Sequence, residues 1–180
     1  AYANMFQPVP TMARLSAETG SMVVGMVLLA PFYHPLLLAE QIATLSAFAD
    51  APVVVTFASG GSRNAFDGFG YRMGTRGTRS EEMIPIVRKL LAGEVVTGTG
   101  TSFDVKSAMI SPLPAHPTEI WIAGTNEITV ERAGRLGDGF FPADHRSLPE
   151  LLPVMRAAAT EAGRDPDAIE ITTGGRGDVD

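Results

Sequence analysis

The chain has 180 residues, of which 45% are hydrophobic and 19% charged, and its formal net charge is −6. This composition predicts a globular protein with a sizeable core, and the mild acidity without any Lys/Arg run argues against a nucleic-acid partner. The absence of cysteine excludes disulfides, thiol nucleophiles and cysteine metal sites. No apolar stretch has the length and continuity of a membrane span and no signal peptide is visible, so we expect a cytoplasmic protein.

Two strands and the helix between them are predicted in the first third of the chain. The uninterrupted apolar run Ser21–Leu29 is typical of a strand that is buried on both faces, as in a parallel sheet. Pro35 then opens a helix that is apolar on most of its surface. The β-branched run Val53–Ala58 predicts a second buried strand.

A polar loop that contains two glycines follows the second strand. It reads Ser59-Gly60-Gly61-Ser62-Arg63-Asn64 and lies at the carboxyl end of that strand. We expect residues 66–77 to be irregular, because glycines recur through them. A helix capped by Thr78 or Ser80 is expected to run to Leu91.

The next segment, Glu94–Met109, predicts a β-hairpin. Val95-Val96 is expected to pair back toward Phe103–Val105 across a glycine turn. The hairpin would separate the preceding helix from the next buried strand.

The stretch Ile120–Pro142, IWIAGTNEITVERAGRLGDGFFP, predicts a complete strand–helix–strand unit. Its first four residues favour a strand, Asn126 stands at the N-cap position of a helix, and Glu127 places an acid in the first turn. Phe140 begins a second apolar run. Such a unit is typical of two parallel strands joined by a crossover helix.

The last part of the chain continues the alternation of helices and strands. Ser147-Leu148-Pro149-Glu150 predicts a capping box for a helix that ends at Gly163, and Ile169–Thr173 predicts a further strand. We therefore expect one α/β domain over residues 1–180, with five buried strands. A closed (β/α)8 barrel needs eight strands and ~250 residues, so either the sheet is open or strands are missing from both ends.

Two of the predicted loops favour an anionic ligand. At Gly124-Thr125-Asn126 a strand ends and a helix begins, so free backbone N–H groups and the positive end of the helix dipole suit a phosphate. On these residues alone, an ordinary capped helix start is the favoured interpretation. The loop Ser59–Asn64 also follows a parallel strand, and the carboxyl ends of parallel strands share one edge of a sheet. We therefore expect both loops to face one ligand, although neither has dinucleotide or P-loop spacing.

Several charged side chains leave two interpretations open. His34 could face a ligand, but a packing role at a helix start is favoured. A group of arginines could meet phosphate or carboxylate groups or form a solvated face, and Asp144-His145-Arg146 could bind an anionic tail or form a solvated loop. The three histidines lack metal-ligand spacing, so no metal site is expected. The arginines of this group are Arg63, Arg72, Arg76 and Arg79.

Taken together, these motifs resemble the luciferase-like flavin-dependent oxidoreductases, a family that includes bacterial luciferase, alkane-sulfonate monooxygenase and the F420-dependent dehydrogenases and reductases. The most specific motif is IWIAGTNEITVERAGRLGDGFFP. VGMVLLAPFYHPLLLAEQIATLSAFA, the glycine loop after Val53–Ala58 and the hairpin GEVVTGTGTSFDV add to it. The resemblance covers most of the chain.

The resemblance implies a (β/α)8 TIM barrel, incomplete at both ends in this chain, with a flavin-type ring in its mouth. The cofactor would be coenzyme F420 or, as the alternative, FMN. In the family, the strand end matching Leu28-Leu29-Ala30 carries a bulge, often a non-prolyl cis peptide, behind the ring. The turn matching Ser59-Gly60, with Asn64, contacts the ring or the ribityl chain. The turn matching Gly124-Thr125-Asn126 holds the phosphate.

The resemblance also implies an activity. An oxidoreductase of this kind would transfer a hydride to a small organic substrate or monooxygenate it, and would form a homo-oligomer without nucleic acid or membrane. Acid and base side chains of the F420 branch often follow a strand that would lie before Ala1, so no catalytic residue is assigned. The alternative is a non-catalytic barrel homologue or fragment that acts as a subunit or packing partner.

Overall fold

The computed structural model describes residues 6–172, which fall into two compact units divided between Ile120 and Trp121. Both units bury apolar side chains completely, for example Leu28 in the first and Phe140 in the second. That the two units form a single domain stays a prediction.

The first unit alternates helices and strands in the predicted order. Strands β1 and β2 pair in parallel, from Val24 beside Val53 to Leu29 beside Ala58, so both strands end at the same edge. Helix α2 makes the connection between them, as in other parallel units. The elements are α1 (Pro8–Thr19), β1 (Val24–Leu29), α2 (Pro35–Phe48), β2 (Val53–Ala58), α3 (Arg63–Gly68) and α4 (Arg76–Leu91).

Strand β1 departs from the expected strand in its start and in its burial. It begins at Val24 rather than Ser21. Its even-numbered residues are buried, whereas Val27 and Leu29 are 45% and 40% exposed, so the expectation of burial on both faces was wrong. An apolar run shows that both faces of a strand can be buried. Only the tertiary structure decides whether another layer of the protein covers each face.

The segment after β2 is more regular than predicted. The polar loop ends at Ser62, whose Oγ accepts a hydrogen bond from Ala65 N at 3.4 Å, and α3 follows. Helix α4 begins at Arg76, so neither Thr78 nor Ser80 is its N-cap. Ser80 is buried inside the helix, where its Oγ donates to Arg76 O at 2.9 Å. Serine hydroxyls bond backbone groups within helices as well as at their starts, so the residue type alone could not place this boundary.

The predicted hairpin is present after α4, but its register is different. Val96 pairs with Ala108 and Gly98 with Val105, and an irregularity lies between the two pairs. A glycine turn predicts that two strands pair, whereas the irregularity that shifts them leaves no comparable signal in the sequence. The strands are β3 (Val96–Thr99) and β4 (Asp104–Ala108).

The second unit contains the strand–helix–strand expected from the motif that begins at Ile120. Its strands are parallel, with Trp121 beside Gly139 and Gly139 beside Glu170. All five strand candidates therefore form strands, and the predicted α/β class is confirmed. The fifth candidate, Glu170–Ile171, is exposed at both residues, so its expected burial was wrong, and Thr173 lies outside the described residues. The elements are β5 (Thr118–Gly124), which begins before the division between the units, α5 (Glu127–Leu136), β6 (Gly139–Pro142), α6 (Leu148–Glu161) and β7 (Glu170–Ile171).

Two glycines of this unit permit close packing. A Cβ on Gly139 would overlap the indole ring of Trp121, which is buried. A Cβ on Gly134, in α5, would overlap the carbonyl oxygen of Met155 in α6 and lie 2.9 Å from Ala159 N. Helices α5 and α6 therefore pack with their backbones in contact at Gly134.

Arg164 binds the C-terminal end of helix α5. Its guanidinium donates to the carbonyl oxygens of Gly134 at 2.7 Å and Gly137 at 2.6 Å. These carbonyls belong to the last turn of the helix, where intrahelical donors run out and a cation is favoured by the helix dipole. Arg164, which is distant in sequence, thus satisfies carbonyl groups at the end of α5 that have no intrahelical donor.

Helix α6 does not begin with the predicted capping box. Ser147 has helical dihedral angles, φ −84° and ψ −7°, and makes no side-chain cap to the helix. Its Oγ donates instead to Asp144 O at 2.8 Å, across the short 3-10 turn His145–Ser147. The turn orients the hydroxyl away from the first free N–H groups of α6, which explains why the motif failed.

The helices of both units are short. The longest of those described, α4, has 16 residues, fewer than the ~20 that span a bilayer. Within residues 6–172, no helix combines the length and the apolarity needed to cross a membrane.

Candidate functional site

The end of β1 and the loop after β2 lie side by side in the first unit. Leu29 and Ala58 are paired strand ends, so Ala30 and Ser59 leave the sheet together. Leu28 and Ala30 are completely buried, whereas the side chain of Leu29 remains partly open. The structure thus brings these predicted site residues to one edge of the β1–β2 pair.

The backbone at Leu28–Ala30 is simpler than the resemblance implied. The pairing of β1 with β2 runs without a register shift, and the peptide bonds of this segment are trans. The strand passes directly into a 3-10 turn, Ala30–Phe32, which Tyr33 N closes by donating to Ala30 O at 3.0 Å. The expected bulge with a cis peptide was wrong, because the 3-10 turn makes the change of direction.

Gly60 and Gly61 expose the backbone of the loop after β2. Gly60 has a φ of 71°, which glycine adopts without a side-chain clash. A Cβ on Gly60 would lie 3.5 Å from Phe66 and 3.6 Å from Leu29, whereas the same position on Gly61 is open. A ligand could therefore approach the main chain of Gly61 closely.

The hydroxyl of Ser59 lies beside that of Ser80. Ser59 Oγ is 3.4 Å from Ser80 Oγ, and either oxygen can be the donor of this pair. Ser80 Oγ also bonds Arg76 O at 2.9 Å. The Ser59 hydroxyl therefore has one partner within the protein, and a hydroxyl offers one donor and two acceptor positions.

Asn64 lies in α3 rather than in a loop. It is exposed, one residue after the start of this six-residue helix. Among residues 6–172, no hydrogen-bond partner is found for its side-chain amide, which leaves the amide available to a ligand.

The turn at Gly124-Thr125-Asn126 in the second unit is a capped helix start. Thr129 N donates to Asn126 Oδ1 at 3.1 Å, and Asn126 N donates to Thr129 Oγ1 at 3.3 Å. This reciprocal arrangement satisfies two of the N–H groups that the sequence had left free for an anion. The ordinary capped helix start, which the residues of this turn by themselves favoured, is therefore present.

Three other N–H groups of the same turn stay open. Among residues 6–172, no protein acceptor is found for the backbone N–H groups of Thr125, Glu127 and Ile128. They surround the positive end of the α5 dipole, since the first N–H groups of a helix have no intrahelical partner. The cap and an anion can therefore use different donors of one turn.

Gly124 is required by the side chain of Thr129. A Cβ on Gly124 would overlap the side chain of Thr129, the residue that completes the cap. The hydrogen bond from Ala143 N to Gly124 O, 3.1 Å long, also holds this strand end. The absence of a side chain at Gly124 thus leaves room for Thr129 and for the cap of α5.

Arg79 has a role that the sequence did not reveal. Its Nε donates to Pro31 O at 2.9 Å, and its guanidinium lies over the rings of Tyr71 and Phe103, with its central carbon 4.3 and 4.6 Å from their centroids. A guanidinium that lies over two aromatic rings makes a cation–π contact with each of them. Arg79 was expected either to bind a phosphate or carboxylate group or to form part of a solvated face, and both expectations were wrong. No local pattern identifies an arginine whose partners are 8, 24 and 48 residues away along the chain.

Glu82, one turn further along α4, holds the tip of the β3–β4 hairpin. Its carboxylate accepts from Thr101 N at 3.0 Å, from the Thr101 hydroxyl and from Ser102 N at 2.8 Å. Burial by itself would raise the pKa of Glu82, but these hydrogen bonds and one from the Phe103 amide outweigh burial and hold its pKa below the ordinary value of 4.5.

Replacing Glu82 by glutamine is expected to lower the free energy of unfolding at pH 7 by about 1 kcal/mol, since exposed charge-assisted hydrogen bonds are screened. A lowered carboxyl pKa contributes stability that is complete above the ordinary value of 4.5 and is lost as the pH falls through the folded-state pKa. Urea unfolding from pH 7 to pH 3 should therefore show wild type and Glu82→Gln converging below pH 4.5.

The control for this experiment is Glu40→Gln, which makes the same replacement at an exposed position of α2. A gap between wild type and Glu82→Gln that stays constant down to pH 3 would contradict a contribution from the ionised carboxylate.

Two other charged groups follow the simpler interpretations. His34 Nδ1 accepts from Leu36 N at 3.3 Å and caps α2, which confirms its favoured role at the helix start. Arg146 and Asp144 form a bidentate pair, with Arg146 Nε 3.0 Å and Nη2 2.9 Å from the two carboxylate oxygens. That pair is exposed, as expected of a solvated loop.

Residues 1–176 match the family model described as luciferase-like monooxygenase, so the chain belongs to the luciferase-like monooxygenase family. The family predicted from the strand and loop motifs is thereby confirmed. A solved F420-dependent secondary alcohol dehydrogenase in complex with an F420-acetone adduct shares the fold, with a TM-score of 0.81 at 22% identity over 93% of this chain. Structures of this kind are luciferase-like TIM barrels, and this chain covers 53% of that one, which agrees with the expectation of a partial barrel.

Two curated relatives are F420-dependent dehydrogenases. The F420-dependent glucose-6-phosphate dehydrogenase of Microbacterium testaceum is 30% identical over 169 residues, which are 89% of this chain and 50% of that protein. The F420-dependent hydroxymycolic acid dehydrogenase of Mycobacterium tuberculosis is 33% identical over 174 residues, which are 92% of this chain and 47% of that protein. The chain thus spans about half the length of the curated relatives that it matches.

Proposed function

We propose that this protein is an oxidoreductase that uses coenzyme F420 for hydride transfer with a small organic substrate. The observation that supports this most is the family match over residues 1–176, joined by relatives whose names specify F420. When bound, F420 supplies a two-electron hydride carrier, so the protein has to bind, orient and shield it.

The open end of helix α5 fits the phosphoryl group that both F420 and FMN carry. The N–H groups of Thr125, Glu127 and Ile128 are donors without protein acceptors among the described residues, and the helix dipole favours an anion there. Asn126 keeps the helix start in place through its cap and leaves those donors free. In this proposal Gly124 and Thr125 contact the phosphoryl group, and Asn126 positions them.

The end of β1 and the loop after β2 fit the cofactor ring. Leu29 offers a partly exposed apolar side chain between the buried Leu28 and Ala30, and Gly61 offers open main chain. Ser59 offers a hydroxyl, 3.4 Å from Ser80 Oγ, that can accept from a ring N–H or exchange a hydrogen bond with a ribityl hydroxyl. Asn64 has a side-chain amide that can both donate and accept.

FMN is the alternative cofactor, because the resemblance to the luciferase-like family implies either F420 or FMN. The same three N–H groups would bind its phosphate, so the phosphate site does not discriminate between the two. We assign no acid or base among the residues of this chain.

The test is a separate titration of the purified 180-residue chain with F420 and with FMN. Trp121, the single tryptophan, lies in β5 three residues before Gly124, so its fluorescence should report binding at that strand end. We expect F420 to bind more tightly than FMN, with a Kd well below about 1 mM, which corresponds to ~4 kcal/mol. Reduction of bound F420 by a candidate substrate would then be followed by absorbance.

If FMN binds more tightly than F420, FMN becomes the proposed cofactor, and the proposed oxidoreductase activity is unchanged. Failure of both ligands to bind below about 1 mM would contradict a cofactor site in this chain.

A further inference from the structure

The tip of the β3–β4 hairpin lies against α4 and against the start of α2 in the first unit. The hairpin follows the C-terminal end of α4, yet Thr101 and Ser102 bind Glu82, in the middle of the same helix. Phe103, next in the tip, is buried and meets His34 at the start of α2, with ring centroids 5.8 Å apart at 88°. The hairpin therefore runs back along α4 toward the edge where β1 and β2 end.

The residues that follow β1, Ala30–His34, are held from several sides; we call them the post-β1 segment. Phe32 stacks on Phe69 with centroids 4.5 Å apart, and it also contacts Phe66 at 4.7 Å. Tyr71 lies almost parallel to Phe32 at 6.4 Å. Aromatic packing thus holds the side chain of Phe32, whereas a group from another helix, α4, holds the main chain of the segment.

That group is Arg79. Its Nε–H binds Pro31 O, one residue after the strand end Leu28–Ala30, while its guanidinium lies over the rings of Tyr71 and Phe103. A guanidinium held by two ring contacts loses little further freedom when it donates, so the bond to Pro31 O fixes the main chain firmly. Phe103 belongs to the hairpin, so Arg79 adds a second connection between the hairpin tip and the post-β1 segment, beside the direct contact of Phe103 with His34.

We propose that Arg79 is a positioning residue for the cofactor, which links the hairpin tip to the post-β1 segment and thereby fixes the strand end Leu28–Ala30. This inference rests on the proposed function, in which that strand end faces the cofactor ring. Arg79 touches neither cofactor nor substrate, and it acts by holding Pro31 O and with it the direction in which the chain leaves β1.

The test uses Arg79→Met and Arg79→Lys in the full chain. Methionine keeps much of the apolar length but removes the charge and the Nε–H, whereas lysine keeps the charge without the planar donor. The matched control is Arg14→Met, which removes an exposed guanidinium that pairs with Glu18 on α1. Urea unfolding of each variant identifies any that does not fold.

Two readouts separate positioning of the main chain from its effect on the cofactor. The first is amide hydrogen exchange in the post-β1 segment without cofactor, where Tyr33 N–H is bonded to Ala30 O. We expect exchange about tenfold faster in Arg79→Met, as in other local openings. The second is the Kd for F420, expected to rise about tenfold in Arg79→Met and about threefold in Arg79→Lys, with no change in Arg14→Met.

The outcomes distinguish this inference from the proposed function. Unchanged exchange in Arg79→Met overturns the positioning role whatever the cofactor does. Faster exchange with an unchanged Kd shows that Arg79 orders the segment without serving the cofactor, which also overturns the inference. A wild-type chain that binds neither F420 nor FMN overturns the proposed function, and the cofactor role of Arg79 with it.

Discussion

Replacing Glu127 by proline is expected to weaken binding of F420 or FMN by about tenfold or more, because hydrogen bonds to charged groups contribute about 1.5–3 kcal/mol. Glu127 is the first residue of α5, the position at which a helix accepts proline without losing an intrahelical bond. Asn126 before it is already extended, with φ −140° and ψ 166°, as a residue preceding proline must be. The substitution therefore removes one open N–H group and leaves the helix in place.

The control for this experiment is Glu127→Ala. It removes the same carboxylate but keeps the N–H group, so the difference between proline and alanine isolates the donor. Because a carboxylate near a phosphate is unfavourable, Glu127→Ala should bind at least as tightly as the wild type. Kd values from Trp121 fluorescence and stability from urea unfolding would be measured for both. Equal Kd values in two folded variants would show that the phosphate does not bind the N–H group of Glu127.

Replacing Gly134 by alanine is expected to destabilise the second unit by about 3 kcal/mol, the upper part of the usual range for overpacking. Helix propensity alone predicts the opposite sign, since alanine is favoured over glycine by about 1 kcal/mol within a helix. The structure overrides propensity because the new methyl group would overlap Met155 O and crowd Ala159 N. Both are main-chain atoms of α6, so no side-chain rotation can relieve the contact.

The matched control is Gly68→Ala in α3, where the added Cβ would meet nothing within 4 Å. We expect its effect to stay within about 0.5 kcal/mol, as for other open surface positions. Urea unfolding followed by the buried Trp121 would report on the second unit directly. A stabilised Gly134→Ala variant would mean that α5 and α6 can separate at little cost, contrary to their close approach at this residue.

The candidate site could be predicted only in part, and the reason differs between its two halves. At Gly124–Asn126 the sequence indicated both a helix cap and an anion site, because the same small and polar residues serve either purpose. The structure shows that the cap takes Asn126 N and Thr129 N, while the N–H groups of Thr125, Glu127 and Ile128 have no acceptor among the described residues. Which N–H groups stay available to an anion depends on the side chain of Thr129, whose Oγ1 accepts a hydrogen bond from Asn126 N.

At Ser59 the outcome depended on residues far along the chain. The sequence placed this hydroxyl at a strand end but not beside Ser80, whose Oγ lies 3.4 Å away. This pairing of two hydroxyls is therefore a tertiary effect. The same is true of the bulge expected at Leu28–Ala30, which is replaced by a 3-10 turn.

The sequence by itself determined the alternation of strands and helices, the start of α5 at Glu127 and the membership of the family, because apolar runs, caps and glycine turns act over a few neighbouring residues. The tertiary structure decided that one face of β1 stays open and that Arg79 binds Pro31 O and lies over two aromatic rings. Such contacts join residues that are far apart in the chain, and no local pattern encodes which distant partner will satisfy a donor or cover a face.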